Sequence, residues 1–315
     1  MFRPTPWLRH RHLQTIAAAL LPAVLPALER ITLALEDGDQ LDLWLTGPPA
    51  GRPSVLVLHG LEGSLASAYA RQMLTAIAAR GWCGAFLHAR GSACRPNRLV
   101  RGYHSGDWQD AAAAGRWLVA QGATALGAVG VSLGANQVLV WLGTGAACPL
   151  AGAVAISPPF DLGACADALG KGFSRLYGAH LLRQMRASIL AKSALNGWTR
   201  ARLNRLRTFR AFDDAITAPQ HGFAGVEDYY QRASCAGHLA GITVPTLILH
   251  ALDDPFIPAT SIPRQVPPAV TLRLLNRGGH VGFLHGWRAR PWLPAVALDA
   301  LAPLLAPGSG GSSRP

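Results

Sequence analysis

Ser132 stands between two glycines in Gly130-Val131-Ser132-Leu133-Gly134. The β-formers Ala128-Val129 lead in and the helix-forming run Ala135-Asn136-Gln137-Val138-Leu139-Val140-Trp141 leads out. Gly-x-Ser-x-Gly at a strand-to-helix turn is the pattern of a nucleophile elbow. Such a turn strains the serine's backbone, and small flanking residues let neighbouring backbone pass without a clash. A chain with 34 glycines also meets this pentapeptide by accident, so an ordinary turn serine is the competing reading until partners are found.

The partners follow in order. Leu247-Ile248-Leu249-His250-Ala251 reads as an apolar strand running into an acidic turn, Leu252-Asp253-Asp254-Pro255. Leu272-Arg273-Leu274-Leu275 reads as another strand, ending in Gly278-Gly279-His280. A serine nucleophile needs a base within hydrogen-bond reach, and the base needs a carboxylate to fix its tautomer. Ser, Asp and His in this order, each just past a strand, can meet at one edge of a parallel sheet. Alone, His280 would be a glycine-turn histidine and the acidic pair a solvated loop; together they select the catalytic reading.

A fourth part lies upstream. Ser54-Val55-Leu56-Val57-Leu58 is an apolar strand that breaks into His59-Gly60-Leu61-Glu62-Gly63-Ser64. Behind an elbow of this kind, one oxyanion-hole amide comes from that loop and the other from the residue after the nucleophile, here Leu61 and Leu133. His59 reads as a brace for the loop rather than a metal ligand or base.

These segments together resemble the YheT-like hydrolases, the fourth family of the AB hydrolase superfamily. The resemblance is carried by His59 to Ser64, Ala89-Arg90-Gly91 with Pro96-Asn97-Arg98, Tyr103-His104-Ser105-Gly106, Gly130 to Asn136, Asp254-Pro255-Phe256 and Gly278-Gly279-His280-Val281-Gly282-Phe283. His12-Leu13-Gln14-Thr15 is similar to that family's opening motif. Phe212-Asp213, Ile216-Thr217-Ala218-Pro219 and His221-Gly222-Phe223 are similar to its middle segment. One departure is Ser92-Ala93-Cys94 after Gly91, where the family usually has Cys at once.

The resemblance implies a serine-dependent carboxylic ester hydrolase for short- or medium-chain acyl esters or acylglycerols, with acyl transfer to an alcohol in some relatives. Ser132 would be the nucleophile, His280 the general base and then acid, and Asp254 the orienting carboxylate. In many such enzymes the acid is the third residue after the small residue closing the strand and precedes a turn former. Ala251, Asp254 and Pro255 meet that rule, so Asp254 is preferred and Asp253 is expected to cap the turn. A catalytically silent ligand-binding homologue is the contrasting class, and the intact trio argues against it. No motif calls for a metal or an organic cofactor.

The elements that must hold these residues read as an α/β fold: an α/β-hydrolase core with a mostly parallel eight-stranded sheet flanked by helices and a helical cap insertion. Alternating residues at 31–36 and 40–45 around Asp37-Gly38-Asp39 predict a hairpin. Strands are predicted at 55–58, 84–88, 125–131 and 152–156, with helices at 66–79, 108–119 and 135–142 between them. That alternation makes a parallel sheet whose sites lie at the carboxyl ends of strands. The core is assigned to 31–159 and 236–305, an amino-terminal arm to 1–30, the cap to 160–235 and a disordered tail to 306–315.

The formal charge of +12 raises nucleic acid or anionic membrane as partners. Only Lys171 and Lys192 are lysine, and arginine with abundant alanine tracks a GC-rich genome, so most of the basicity reads as compositional. No spacing supports nucleic-acid recognition, which leaves a small acyl ester as the expected partner. The cap's Arg183, Arg186, Arg200, Arg202 and Arg205 read as a solvated helix face, with anionic phospholipid contact as the minority alternative. Tyr229 and Tyr230 read as packing residues. Five scattered cysteines suggest reduced thiols and a cytoplasmic location. Residues 13–28 imitate a signal peptide, but Gln14, Thr15, Pro22 and Pro26 interrupt them. They read instead as an amphiphilic arm on the domain or on a membrane surface.

Overall fold

A computed structural model describes residues 2–306; the expected tail beyond Ala306 lies outside the described residues. Eight strands form one sheet: β1 (Glu29–Ala34), β2 (Gln40–Leu45), β3 (Pro53–Leu58), β4 (Cys83–His88), β5 (Ala125–Val131), β6 (Leu150–Ile156), β7 (Thr246–Ala251) and β8 (Val270–Leu275), in the order β1-β2-β4-β3-β5-β6-β7-β8. The hairpin β1–β2 is antiparallel and joins β4 antiparallel. From β4 to β8 every pairing is parallel, the sheet expected of an α/β-hydrolase fold.

Parallel strands with helices on both faces are apolar on both sides. β4 and β7 are accordingly buried at every position, and β3 and β5 at all but their first. Successive side chains still go to opposite layers. Leu56 and Leu58 join Leu139 and Trp141 on one face, while Val55 and Val57 join Phe86, Ile156 and Leu298 on the other. The first layer is covered by α3 (Gln109–Ala120) and α4 (Leu133–Gly143), the second by α2 (Ala68–Ala79) and α12 (Leu293–Leu305).

α4 begins at Leu133, two residues before the predicted start, because Leu133 and Gly134 form its first turn directly behind the serine. Ahead of the sheet lies α1 (Arg11–Leu20). Between β6 and β7 the chain leaves the sheet as α5 (Leu162–Ala168), α6 (Ser174–Ala191), α7 (Ser193–Asn196), α8 (Arg200–Leu203), α9 (Phe209–Phe212), α10 (Ala218–Gln220) and α11 (Val226–Ala233). These helices share an apolar cluster of their own around Leu182, Met185, Leu203, Phe209 and Ile216. A small hairpin, β9 (Leu284–His285) with β10 (Arg290–Pro291), follows the sheet. No helix among the described residues is long and apolar enough to cross a membrane.

Candidate active site

Ser132 follows β5 directly with φ 54° and ψ −116°, a positive-φ conformation that a side chain adopts only under constraint. The constraint is the packing of the turn. A Cβ on Gly130 would lie 2.4 Å from the carbonyl oxygen of Gly134, and a Cβ on Gly134 would lie 2.4 Å from that of Leu58. Only hydrogen fits at either place, so the two glycines are dictated by backbone crossing backbone.

At the ends of three strands the predicted trio meets. Ser132 Oγ lies 2.9 Å from His280 Nε2, and His280 Nδ1 lies 2.8 Å from Asp254 Oδ2. A carboxylate only accepts, which places the ring proton on Nδ1 and leaves Nε2 to accept from the serine hydroxyl. The other oxygen, Asp254 Oδ1, accepts the amides of Phe256 at 2.8 Å and Ile257 at 3.2 Å. The expectation that Asp253 caps this turn is therefore corrected: Asp254 caps it with one oxygen while holding the imidazole with the other. Asp253 Oδ1 reaches across to accept the amide of Gly279 at 2.9 Å, bracing the loop that carries His280.

Leu61 lies in the loop after β3, between two residues whose own amides are bonded to tyrosine hydroxyls. The Gly60 N–H donates to the Tyr69 hydroxyl at 2.9 Å and the Glu62 N–H to the Tyr103 hydroxyl at 2.8 Å. Leu133 is the first residue of α4, where a helix amide has no intrahelical acceptor. Both residues line the cavity that contains Ser132. His59 braces this loop as expected, its Nδ1 donating to the Gly60 carbonyl at 2.7 Å and its Nε2 accepting from the Ala89 amide at 3.1 Å. Burial holds its pKa down to about 4, so the ring is neutral at physiological pH.

Several contacts escaped the sequence reading. The Phe256 ring stacks on His280, centroids 4.1 Å apart and planes at 14°. The only signal was its place in Asp-Pro-Phe. The His280 amide donates to Thr15 Oγ1 at 2.9 Å, and Gln14 accepts the Leu284 amide at 2.8 Å, so α1 clasps the histidine loop. Glu62 accepts from Tyr103 at 3.1 Å, from the Ala93 amide at 2.8 Å and from Ser188 of α6 at 2.5 Å. Burial pushes its carboxyl above the ordinary range. Tyr103 thus reads both the main chain and the side chain of Glu62, beside the Leu61 amide.

The remaining motif residues turn out to be tethers. Arg90 forks onto Asp110 at 2.7 and 2.6 Å. Asn97 donates to Asp39 at 2.5 Å and accepts from Lys192 at 2.7 Å, tying the end of α6 to the hairpin loop. Asn136 donates to the carbonyls of Ser105 and Ala233 and accepts the Cys235 amide, joining α4 to the segments around it. Tyr229 and Tyr230 are buried, with hydroxyls on the Ser105 amide and Asp213.

Over the trio lies a cavity of about 730 Å³. Its walls include Leu162, Leu169, Met185, Phe209, Phe212 and Ile216. Among the described residues no group of three His, Cys, Asp or Glu could hold a metal ion. The arrangement sets a serine hydroxyl, an imidazole and a carboxylate in one hydrogen-bonded row beneath a cavity with apolar walls.

Comparison with known proteins identifies the fold and the family. A family model described as alpha/beta hydrolase fold matches residues 53–286. The provisionally named esterase YheT of Escherichia coli (strain K12) is 41% identical over 312 residues, covering 93% of this chain and 91% of its own. Phospholipase ABHD3 of Mus musculus is 28% identical over 303 residues, covering 90% of this chain and 74% of its own. Among solved structures, the Pyrococcus furiosus esterase Pf2001 superposes with a TM-score of 0.60 at 15% identity, covering 90% of this chain and 99% of that one; this likeness speaks for the fold alone.

Proposed function

Because this chain belongs to the alpha/beta hydrolase family, we propose that it is a serine-dependent carboxylic ester hydrolase acting on short- or medium-chain acyl esters or acylglycerols. The observation that carries the reading is the unbroken relay from Ser132 Oγ to His280 Nε2, 2.9 Å, and from His280 Nδ1 to Asp254 Oδ2, 2.8 Å.

In this reading Ser132 Oγ attacks the ester carbonyl carbon as its proton passes to His280 Nε2. Asp254 steadies the imidazolium and keeps the ring oriented. Charge that develops on the carbonyl oxygen is met by the amides of Leu61 and Leu133, and losing one such donor typically costs on the order of 10²- to 10³-fold in rate. His280 then gives its proton to the departing alcohol, leaving acyl-Ser132. Water repeats the sequence in reverse and releases the carboxylic acid. The apolar chamber supports an acyl chain as the buried part of the substrate, and the names of the esterase and phospholipase relatives support the same class. Five free thiols support a reducing compartment, the cytoplasm.

A fluorophosphonate probe tests the reading. It should label the wild type at Ser132 and leave Ser132→Ala unlabelled, while p-nitrophenyl esters of graded length report chain preference. A folded wild type that resists the probe and leaves every ester intact would sink the proposal. Added alcohol that diverts product from acid to a new ester would make the enzyme an acyl transferase using the same acyl-serine.

A further inference from the structure

α1 is turned inside out. Its buried side chains are Gln14 and Thr15, while Leu13, Ile16 and Leu20 are exposed. The polar pair is needed inside, since it holds the Leu284 and His280 amides. The leucines and isoleucine, at helical spacing, form an outward apolar stripe. It does not stand alone. The His12 ring packs on Phe173 at 4.4 Å, which brings the start of α6 beside α1, and Leu176 there is 56% exposed. Trp7 donates its indole N–H to the Trp287 carbonyl, pairing the arm with the turn between β9 and β10, where Trp287 is 77% exposed.

This face borders the cavity's mouth. Ile16, Ala19, Leu20, His180 and Pro291 are exposed and also line the cavity, so they mark its rim. Its charge is one-sided. Residues 2–28 contain Arg3, Arg9 and Arg11 and no carboxylate. Residues 168–212 carry ten Lys or Arg and no Asp or Glu, which is ten of the chain's twelve net positive charges. Compositional bias would spread arginine among carboxylates; here the charge is concentrated in the segment that begins beside α1.

We propose that the face formed by α1, the start of α6 and the β9–β10 turn seats on an anionic lipid bilayer surface, with the cavity's mouth against the lipid. Exposed tryptophans and leucines enter the interfacial region while Arg9, Arg11, Lys171 and Arg175 meet the headgroups. A nucleic acid would satisfy the arginines and leave Leu20 and Trp287 uncovered. A second copy of the chain would bring like charges together. The inference does not depend on Ser132 being the nucleophile.

Vesicle sedimentation tests it, using the Ser132→Ala chain so that lipid is not consumed. The chain should co-sediment with vesicles of phosphatidylcholine mixed equally with phosphatidylglycerol and stay free with phosphatidylcholine alone. Each basic residue near such a surface is worth about fivefold in partitioning, so K171Q/R175Q should weaken binding by about 25-fold. L176E/W287S should weaken it comparably without losing the charge. In chains that keep Ser132, both double variants should hydrolyse a soluble p-nitrophenyl ester like the wild type. Equal binding to both vesicles, indifference to both double variants, or preferential capture by duplex DNA overturns the proposal. Anionic-vesicle binding by a wild type without hydrolytic activity would instead overturn the esterase reading and leave this one standing.

Discussion

The floor of the cavity and its roof are held by opposite means. Ser132 and Asp254 follow the buried, apolar strands β5 and β7, and His280 follows the more exposed edge strand β8, so their places are set by the ends of three strands of one sheet. The roof, made of α1 and the helices between β6 and β7, is tied down by polar side chains far apart in the chain. Thr15 holds the His280 amide, Ser188 holds Glu62 and Lys192 holds Asn97. A sheet positions reacting groups through local pattern, whereas the roof is positioned through individual hydrogen bonds that no local pattern announces. Damage should accordingly differ in kind between the two.

The largest effect is expected on the floor. Asp254→Asn should lower kcat by about 10⁴-fold by favouring the wrong tautomer of His280. Asp253→Asn keeps a carbonyl for the Gly279 amide and should change kcat by no more than roughly fivefold, the worth of one neutral hydrogen bond. The reverse ranking in steady-state assays would break the assignment. Next comes the tie between roof and floor. Thr15→Val orphans the His280 amide and should cost about 1–3 kcal/mol in urea unfolding, with a parallel loss of kcat; unchanged values would show that α1 is not needed to hold the histidine loop.

Tyr103→Phe sharpens the comparison further. It removes the hydroxyl beside the Leu61 amide without touching the trio, and should lower kcat by roughly tenfold, less than loss of an oxyanion donor itself, with little change in KM. An effect on KM alone would place Tyr103 in substrate binding instead.

The smallest effect at neutral pH belongs to His250, buried in β7 with neither ring nitrogen hydrogen-bonded among the described residues. Burial holds its pKa down to about 4. As pH falls through about 6.5, an unfolded chain takes up the proton that the folded chain refuses, so stability falls by up to about 1.4 kcal/mol per pH unit through this residue. His250→Phe lacks that slope. Its urea midpoint should therefore gain on the wild type from pH 6.5 toward 4, with a constant difference above about pH 7. Parallel curves across the acid range would show that His250 titrates normally.

Much of the floor could be read from residues alone. β5 runs from Ala125 to Val131 as the apolar run predicted, and the order Ser132, Asp254, His280 matched three strand ends of one sheet. The division of labour between Asp253 and Asp254 was less legible, because either carboxylate suits an acidic turn and only the path of the Gly278-Gly279-His280 loop decides which one faces the imidazole. Glu62 was visible only as a motif letter, although it receives Tyr103, Ala93 and Ser188 at once. The outward stripe of α1 was half visible: its apolar content showed, but Gln14 and Thr15 read as interruptions when they are the inward face.

What the amino-acid sequence determined by itself was the parallel sheet and the residue types that stand at the ends of its strands. Strand period, apolar runs and the glycines around Ser132 are local properties, and a right-handed series of strand and helix leaves few ways to assemble them. What only the tertiary structure decided was which side chains meet across long loops: Phe256 over His280, Thr15 beneath it, Tyr103 beside Leu61, and an apolar stripe beside a basic cap at the cavity's rim. Those meetings depend on the direction in which each loop leaves the sheet, a property of the packed whole that no window of neighbouring residues contains.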